Sequence, residues 1–243
     1  MKINANNLDS KELNEMINNS KAKTFEIINT LGQRYIASGS NDLNLEIKGI
    51  PGNALGAYLN GSKIEVFGNS SDALGDTMND GEIIIHGNAG DTCGYAMRGG
   101  KIYVRGSVGY RCGIHMKAYM EKFPIIIVGG SAGSFLGEYQ AGGIIIVLGL
   151  DNKEYDKGRI IGNFAATGMY GGKLFIRHNC ENDYFPKSVD VAKATENDLE
   201  EIKEYLKEYC NIFNLDLDEI LNSEFKVVTP NLSNKPKVNY IGN

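Results

Sequence analysis

Tryptophan is absent from the sequence, and histidine, cysteine and proline are scarce, at three, four and five residues. Each scarcity removes a class of function. Cys93, Cys112, Cys180 and Cys210 form no CxxC pair and have no histidine at zinc-finger spacing, so neither a structural zinc site nor a disulfide framework is indicated. His86, His115 and His178 are scattered, and no HExxH or Ser/His/Asp pattern accompanies them. Basic residues number 25 against 30 acidic, a net charge of -5, with no Lys/Arg run to neutralise phosphates, which argues against a nucleic-acid partner. No apolar run reaches the length of a membrane span. The opening MKINANNLDSKELNEM lacks the apolar segment of a signal peptide, so a cytoplasmic protein is expected.

Glycine, by contrast, is abundant, with 30 residues concentrated between positions 49 and 172. One column holds Gly49, Gly68, Gly87, Gly106, Gly130 and Gly149, at spacings of 19, 19, 19, 24 and 19. A second holds Gly56, Gly75, Gly94, Gly113 and Gly137, at 19, 19, 19 and 24. Two independent columns thus agree on a 19-residue repeat with one five-residue insertion, placed in the loop 114–124. A turn that corners several times in 19 residues needs positive φ or close backbone approach, and glycine supplies both.

The apolar columns say what repeats. Leu45, Ile64, Ile83, Ile102, Ile126, Ile145 and Leu174 form one; Ile47, Val66, Ile85, Val104, Val128, Val147 and Ile176 form another two residues on. A spacing of two places both on one face of a strand. Leu55, Leu74, Cys93, Cys112 and Leu136 precede the second glycine; Leu59, Met78, Met97 and Met169 follow it, with Gln140 as the exception. The expected fold is mainly β: a single-stranded parallel β-helix of about seven turns, with a small N-terminal cap and C-terminal helices. At the usual spacing between paired strands, seven turns stack to on the order of 30 Å. The expected boundaries are 1–42 for the cap, 43–178 for the repeat and 179–243 for the C-terminal segment and tail.

Between the inward pairs, the outward positions change character. Glu46 and Glu65 give way to Ile84, Tyr103, Ile127, Ile146 and Phe175. A strand apolar on both faces requires a cover, either this chain's own C-terminal segment or a partner. In that segment Thr195 with Asp198 marks a helix start, and Leu199, Ile202, Leu206, Tyr209 and Phe213 line one face. Asp216 with Glu219 starts a shorter helix, FKVV reads as a strand, and Asp9 with Glu12 marks a helix near the N-terminus.

Candidate chemistry is thin. GNAGDTCG and GGSAGSFLG lack the Lys-Ser/Thr pair and the helix of a phosphate loop. Cys93 and Cys112 share a column on adjacent turns, where two small buried hydrophobes explain them better than a redox pair. His115 with Tyr119 and Glu121 is the best of the catalytic candidates, against a plain loop. Asp72, Asp76, Asp80 and Asp91 sit where turns ordinarily place aspartate.

The stretches DTCGYAMRGGKIYVRG, GEYQAGGIIIVLG and IGNFAATGMYGGKLFIRH resemble the glutamate synthase C-terminal domain, known for its GXGXG motif. QRYIASG and LEEIKEYLKEYCNIFNLDLDEIL resemble its stand-alone archaeal-type version. The resemblance implies that the parallel β-helix is right-handed, and that the chain is a non-catalytic structural subunit of a split glutamate synthase, which converts glutamine and 2-oxoglutarate into two glutamates. Its partners would be the amidotransferase and FMN-domain chains, and no catalytic, cofactor-binding or metal-binding residue is expected here. FMN and iron–sulfur centres would belong to those partners; this chain opens on Met1 rather than a cysteine nucleophile and has no cysteine cluster. A subunit of a formylmethanofuran dehydrogenase-like complex is the alternative that the resemblance leaves open. Two further classes remain: an acyltransferase or esterase acting alone, and a homo-oligomeric binding module.

Overall fold

A computed structural model describes residues 1–150, 160–177 and 185–231. The elements, in chain order, are β1 (Lys2–Asn4), α1 (Ser10–Asn18), β2 (Thr24–Leu31), β3 (Asn44–Ile50), β4 (Asn60–Phe67), β5 (Asp80–Ile85) and β6 (Gly100–Val104). β7 (Pro124–Val128), β8 (Ala141–Val147), β9 (Gly171–Ile176), β10 (Val189–Lys193), α2 (Glu196–Phe213), α3 (Leu217–Leu221) and β11 (Lys226–Pro230) follow.

These strands form one mixed sheet of eleven, in the order β1-β2-β3-β4-β5-β6-β7-β8-β9-β11-β10. Pairing is parallel from β1 to β9, and antiparallel where β11 joins β9 and β10 joins β11. The expected single-stranded, right-handed parallel β-helix of about seven turns is therefore corrected to a mostly parallel mixed sheet with few helices. The physical reason lies at both ends. β1 and β2 pair into the sheet without carrying the glycine columns, so a glycine count misses them. At the other end β11 runs against the rest, antiparallel to β9 on one side and to the edge strand β10 on the other.

The 19-residue spacing is nonetheless the register of the sheet. Leu45, Ile64, Ile83, Ile102, Ile126, Ile145 and Leu174 stand side by side across β3 to β9, as do Ile47, Val66, Ile85, Val104, Val128, Val147 and Ile176. All are fully buried in one core. Phe25 and Ile27 of β2 extend both rows at a spacing of 20, and the extra residue is absorbed at a bulge beside Asn29, whose φ is 60°. The first glycine column runs along the strand ends. A Cβ on Gly87 would lie 2.7 Å from the Gly68 carbonyl oxygen, and one on Gly106 would lie 2.8 Å from that of Gly87. Close stacking of backbone on backbone is what excludes side chains there.

The other face of the sheet answers the question of cover. The row Glu26, Glu46, Glu65, Ile84, Tyr103, Ile127, Ile146 and Phe175 passes from charged to apolar at β5. α2 lies over the apolar part, with Ile202, Leu206, Tyr209 and Cys210 buried against it in a second core. Burying such side chains contributes roughly 1.5–3 kcal/mol each. Thr195 caps α2 in a capping box with Asp198, and Asn214 ends it in the left-handed conformation. Polar groups fix its position. The Tyr209 hydroxyl donates to the Val104 carbonyl at 3.0 Å, the Tyr103 hydroxyl donates to Glu208 at 2.7 Å, and Lys101 also bonds Glu208. Lys173 reaches Asp198 and Glu201 at 3.2 and 2.6 Å. At the border of the covered region His86 stacks on Phe67, meets Phe213 edge-on, and bonds Glu65 at 2.8 Å.

Candidate functional site

Between consecutive strands the chain crosses a corner of eight residues: 34–41, 53–60, 72–79, 91–98, 110–117, 134–141 and 163–170. Each corner carries three left-handed residues at alternate positions. Ala54, Gly56 and Tyr58 have φ of 62°, 64° and 57°; Arg111, Gly113 and His115 have 58°, 68° and 56°; Phe135, Gly137 and Tyr139 have 64°, 63° and 53°. The pattern persists where no glycine column is visible, as in Tyr35, Ala37 and Gly39 or Phe164, Ala166 and Gly168.

Hydrogen bonds to both neighbouring turns hold this conformation. In the five trios from Ala54 to Tyr139 the outer two donate forward, as Ala54 N–H does to Asp72 O and Tyr58 N–H to Asp76 O, and the central one donates backward, as Gly56 N–H does to Ile36 O; the first trio donates forward from Tyr35 and Gly39 and the last donates backward from Ala166. A left-handed conformation at a bulky residue costs on the order of 1–2 kcal/mol, and it persists here because the turns on either side over-determine it. The second glycine column is the central member of the trio. Its requirement is spatial, since Ala37 and Ala166 adopt the same φ. In the inner turns a Cβ would run into the next rows of the core: 2.7 Å from Ile83 Cδ1 at Gly56 and 2.6 Å from Ile102 Cδ1 at Gly75.

Most outer members of the trios reach the surface, Ala54 and Thr77 being buried, and here the sequence supplies rings. His115 stacks on Tyr139 with centroids 5.2 Å apart and meets Tyr95 edge-on at 5.9 Å. Phe135 stacks on Phe164 at 5.2 Å, and the Arg111 guanidinium lies over Phe135 at 4.8 Å while bonding Glu138 at 3.3 Å. Tyr35, Tyr58, Tyr110, Phe164 and Tyr170 are each more than half exposed. Exposed aromatics on strained backbone return little packing energy to this chain, and such ordered apolar surface characterises a site of association.

Side-chain ladders brace the corners. Asp72 accepts from the Asp91 N–H at 2.9 Å, and Asp91 from the Tyr110 N–H at 2.8 Å. Asn69, Asn88 and Ser107 repeat this along the glycine column. Asp76 accepts from the Thr77 hydroxyl, and Asp80 accepts from the Gly81 N–H and pairs with Lys122. The four aspartates therefore serve the turns.

The loop at 114–124 is shorter than its sequence limits. Met116 continues the inward column of Met78 and Met97, and the Lys117 N–H donates to the Met97 carbonyl as the repeat requires. The inserted residues begin after Lys117, closed by Tyr119 and Lys122 hydrogen-bonded to each other, with Met120 84% exposed at the tip. His115 is bound into the ring stack, and no hydrogen bond among the described residues joins it to Tyr119 or Glu121. His178 and Cys180 lie outside the described residues, as does the tail from 232. Cys93 and Cys112 are buried neighbours; a hydrogen bond to Cys93 and burial push the Cys112 thiol well up. Gln140 is fully buried in the methionine column, donating to the Gly142 and Gly143 carbonyls. Among the described residues no group of three His, Cys, Asp or Glu side chains is placed to hold a metal, and no helix is long and apolar enough to cross a membrane.

The GXGXG motif family matches residues 2–234. An uncharacterised protein of Methanocaldococcus jannaschii is 46% identical over 244 residues, covering 96% of this chain and 93% of its own length. Among solved structures, a chain of the formyltransferase/hydrolase complex of Methylorubrum extorquens, solved with methylofuran, is similar at a TM-score of 0.67 and 19% identity. The match covers 88% of this chain and 76% of that one, and at this identity the likeness is one of fold. Taken with the columns and corners above, the match across nearly the whole sequence places the chain in the GXGXG motif family, the glutamate synthase C-terminal type of domain.

Proposed function

We propose that this chain is a non-catalytic assembly subunit of a multi-subunit complex of the formyltransferase/hydrolase kind, related to formylmethanofuran dehydrogenase. The observation that carries the reading is the corner face, where aromatic side chains stand exposed on left-handed backbone across several turns. Two comparisons support it: family membership, and the fold shared with a chain of that complex. In this reading the chemistry lies on partner chains, and the repeat offers a rigid body against which they are positioned.

A second reading is the structural subunit of a split glutamate synthase, favoured by the family's domain type. In that case the partners are an amidotransferase and an FMN-domain chain, with FMN and iron–sulfur centres on them. One experiment separates the two. The chain, tagged at its own locus, is purified from its native cells and the co-eluting proteins are identified by mass spectrometry. Formyl-transfer subunits in constant ratio are expected; amidotransferase and FMN chains would move the assignment to the second reading, and elution without any partner chain would refute both.

A further inference from the structure

The corner face has a distribution of charge and rings that suits one occupant in particular. Of its seven segments the middle one is 91–98. On one side of it, 72–79 reads DALGDTMN and carries two carboxylates; on the other, 110–117 reads YRCGIHMK and carries two cations. The middle segment, DTCGYAMR, is balanced within itself by Asp91 and Arg98. Charge thus reverses across the middle segment; farther out the face carries only Arg34 and Glu138, the latter bonded to Arg111.

Four of the rings are paired about the same centre. Tyr58, two segments before the middle, corresponds to Tyr139, two segments after it; Tyr35, three before, corresponds to Phe164, three after. These four are 56%, 44%, 58% and 59% exposed. Near the axis, Lys117 and Arg98 form no ion pair among the described residues, and Asp72 is exposed with one oxygen taken by the Asp91 N–H. A face whose features reverse in charge and repeat in shape about its midpoint is complementary to itself after a half-turn.

We infer that the corner face is a two-fold contact between two copies of this chain, running antiparallel with the axis at segment 91–98. Asp72 and Asp76 of one copy then oppose Arg111 and Lys117 of the other, while the outlying tyrosines meet the outlying rings. Two-fold contacts of this isologous kind are the commonest in homo-oligomers. The inference rests on reading the face as an association surface and specifies what covers it, so that an assembly containing this subunit contains it in pairs.

The test is the solution mass of the purified full chain, by light scattering behind size exclusion, with sedimentation equilibrium for the dimer Kd. A mass of twice 26.6 kDa is expected. Asp76→Lys and Lys117→Glu should each raise the dimer Kd about fivefold or more by placing like charges opposite one another. Carrying both in one chain should restore it to within about twofold, because each reversal then meets the other. Phe164→Asp should leave monomer, with an unchanged circular dichroism spectrum showing that the fold persists. A wild-type monomer at tens of micromolar, or a dimer indifferent to all three changes, overturns the inference. So does a double variant whose losses simply add. A monomer leaves the assembly reading intact, since that stands or falls on co-purification.

Discussion

Substituting Gly75 by alanine separates two explanations of the glycine columns. Gly75 has φ +63°, and an alanine Cβ there would stand 2.6 Å from Ile102 Cδ1. The conformation itself costs on the order of 1 kcal/mol for a residue with a Cβ. Overpacking in a core that stacks turn on turn adds typically 1–3 kcal/mol. Gly39, at φ +66° with nothing within 4 Å of its would-be Cβ, isolates the first contribution. Gly39→Ala should therefore cost about 1 kcal/mol and Gly75→Ala about 2–4, read as free energies from urea unfolding followed by circular dichroism. At roughly 2–4 °C per kcal/mol for a chain of this size, the melting temperature of Gly75→Ala should fall by about 5–15 °C. Ile102→Val removes the offending Cδ1 at an expected cost of about 0.5–1.5 kcal/mol. Combined with Gly75→Ala, it should give a double variant more stable than the sum of the two losses by at least about 1 kcal/mol. Equal losses at Gly39 and Gly75, or strict additivity in the double variant, would refute the claim that packing rather than backbone conformation selects the column.

Three other outcomes are expected. Tyr209→Phe removes the hydroxyl that donates to the Val104 carbonyl, which keeps its bond from the Gly129 N–H, and should cost about 0.5–1.5 kcal/mol in the same unfolding measurement. The carboxyls of Glu26, Asp198 and Glu208 are all held below their usual range: hydrogen bonds from Lys48 and Lys2 act on Glu26 and the Thr195 cap acts on Asp198, while at Glu208 burial pushes upward but the bonds from Lys101 and Tyr103 prevail. A lowered folded value means stability that is complete above the unfolded carboxylate range and is lost as pH falls through the folded values, so melting temperature should drop in acid, and less so in Glu208→Gln. Cys112 is held protonated by Cys93 and by burial, and Cys210 is pushed up to about 11 by burial. With Cys180→Ser in place, a disulfide-exchange reagent should find no fast-reacting thiol in the folded protein and three after unfolding in urea.

The repeat was legible because the forces that impose it act on identity. Backbone stacked on backbone admits only glycine at Gly87 or Gly106, and a continuous core admits only branched aliphatics at Ile83 or Ile102. The start of the sheet was legible as strand around Phe25 but not in its register, for an equally physical reason. Asn29 adds one residue at a bulge, which puts Phe25 and Leu45 out of phase with the 19-residue count, and Thr30 and Ala37 stand where later turns have glycine. Met116 was hidden by the insertion that follows it. The candidate face was the least legible part, because tyrosine, phenylalanine and arginine at positive φ run against local preference, and only hydrogen bonds from neighbouring turns hold them there. The covering helix was half legible: its capping box and apolar face were plain, but a partner chain would have satisfied the outer sheet equally well.

A parallel sheet built turn by turn has no intrinsic length, since each strand offers the next the same row of donors and acceptors. The reversal at β11 and β10 acts as its terminator. β11 turns against the sheet and β10 turns back again, leaving as the last edge a five-residue strand that exposes Asp190 and Lys193, so a second molecule arriving head-to-tail meets a short, charged edge instead of a continuation of the repeat. Without residues 186–231 the same chain would keep its repeat and lose its full stop, and linear growth into fibrils would become its characteristic hazard.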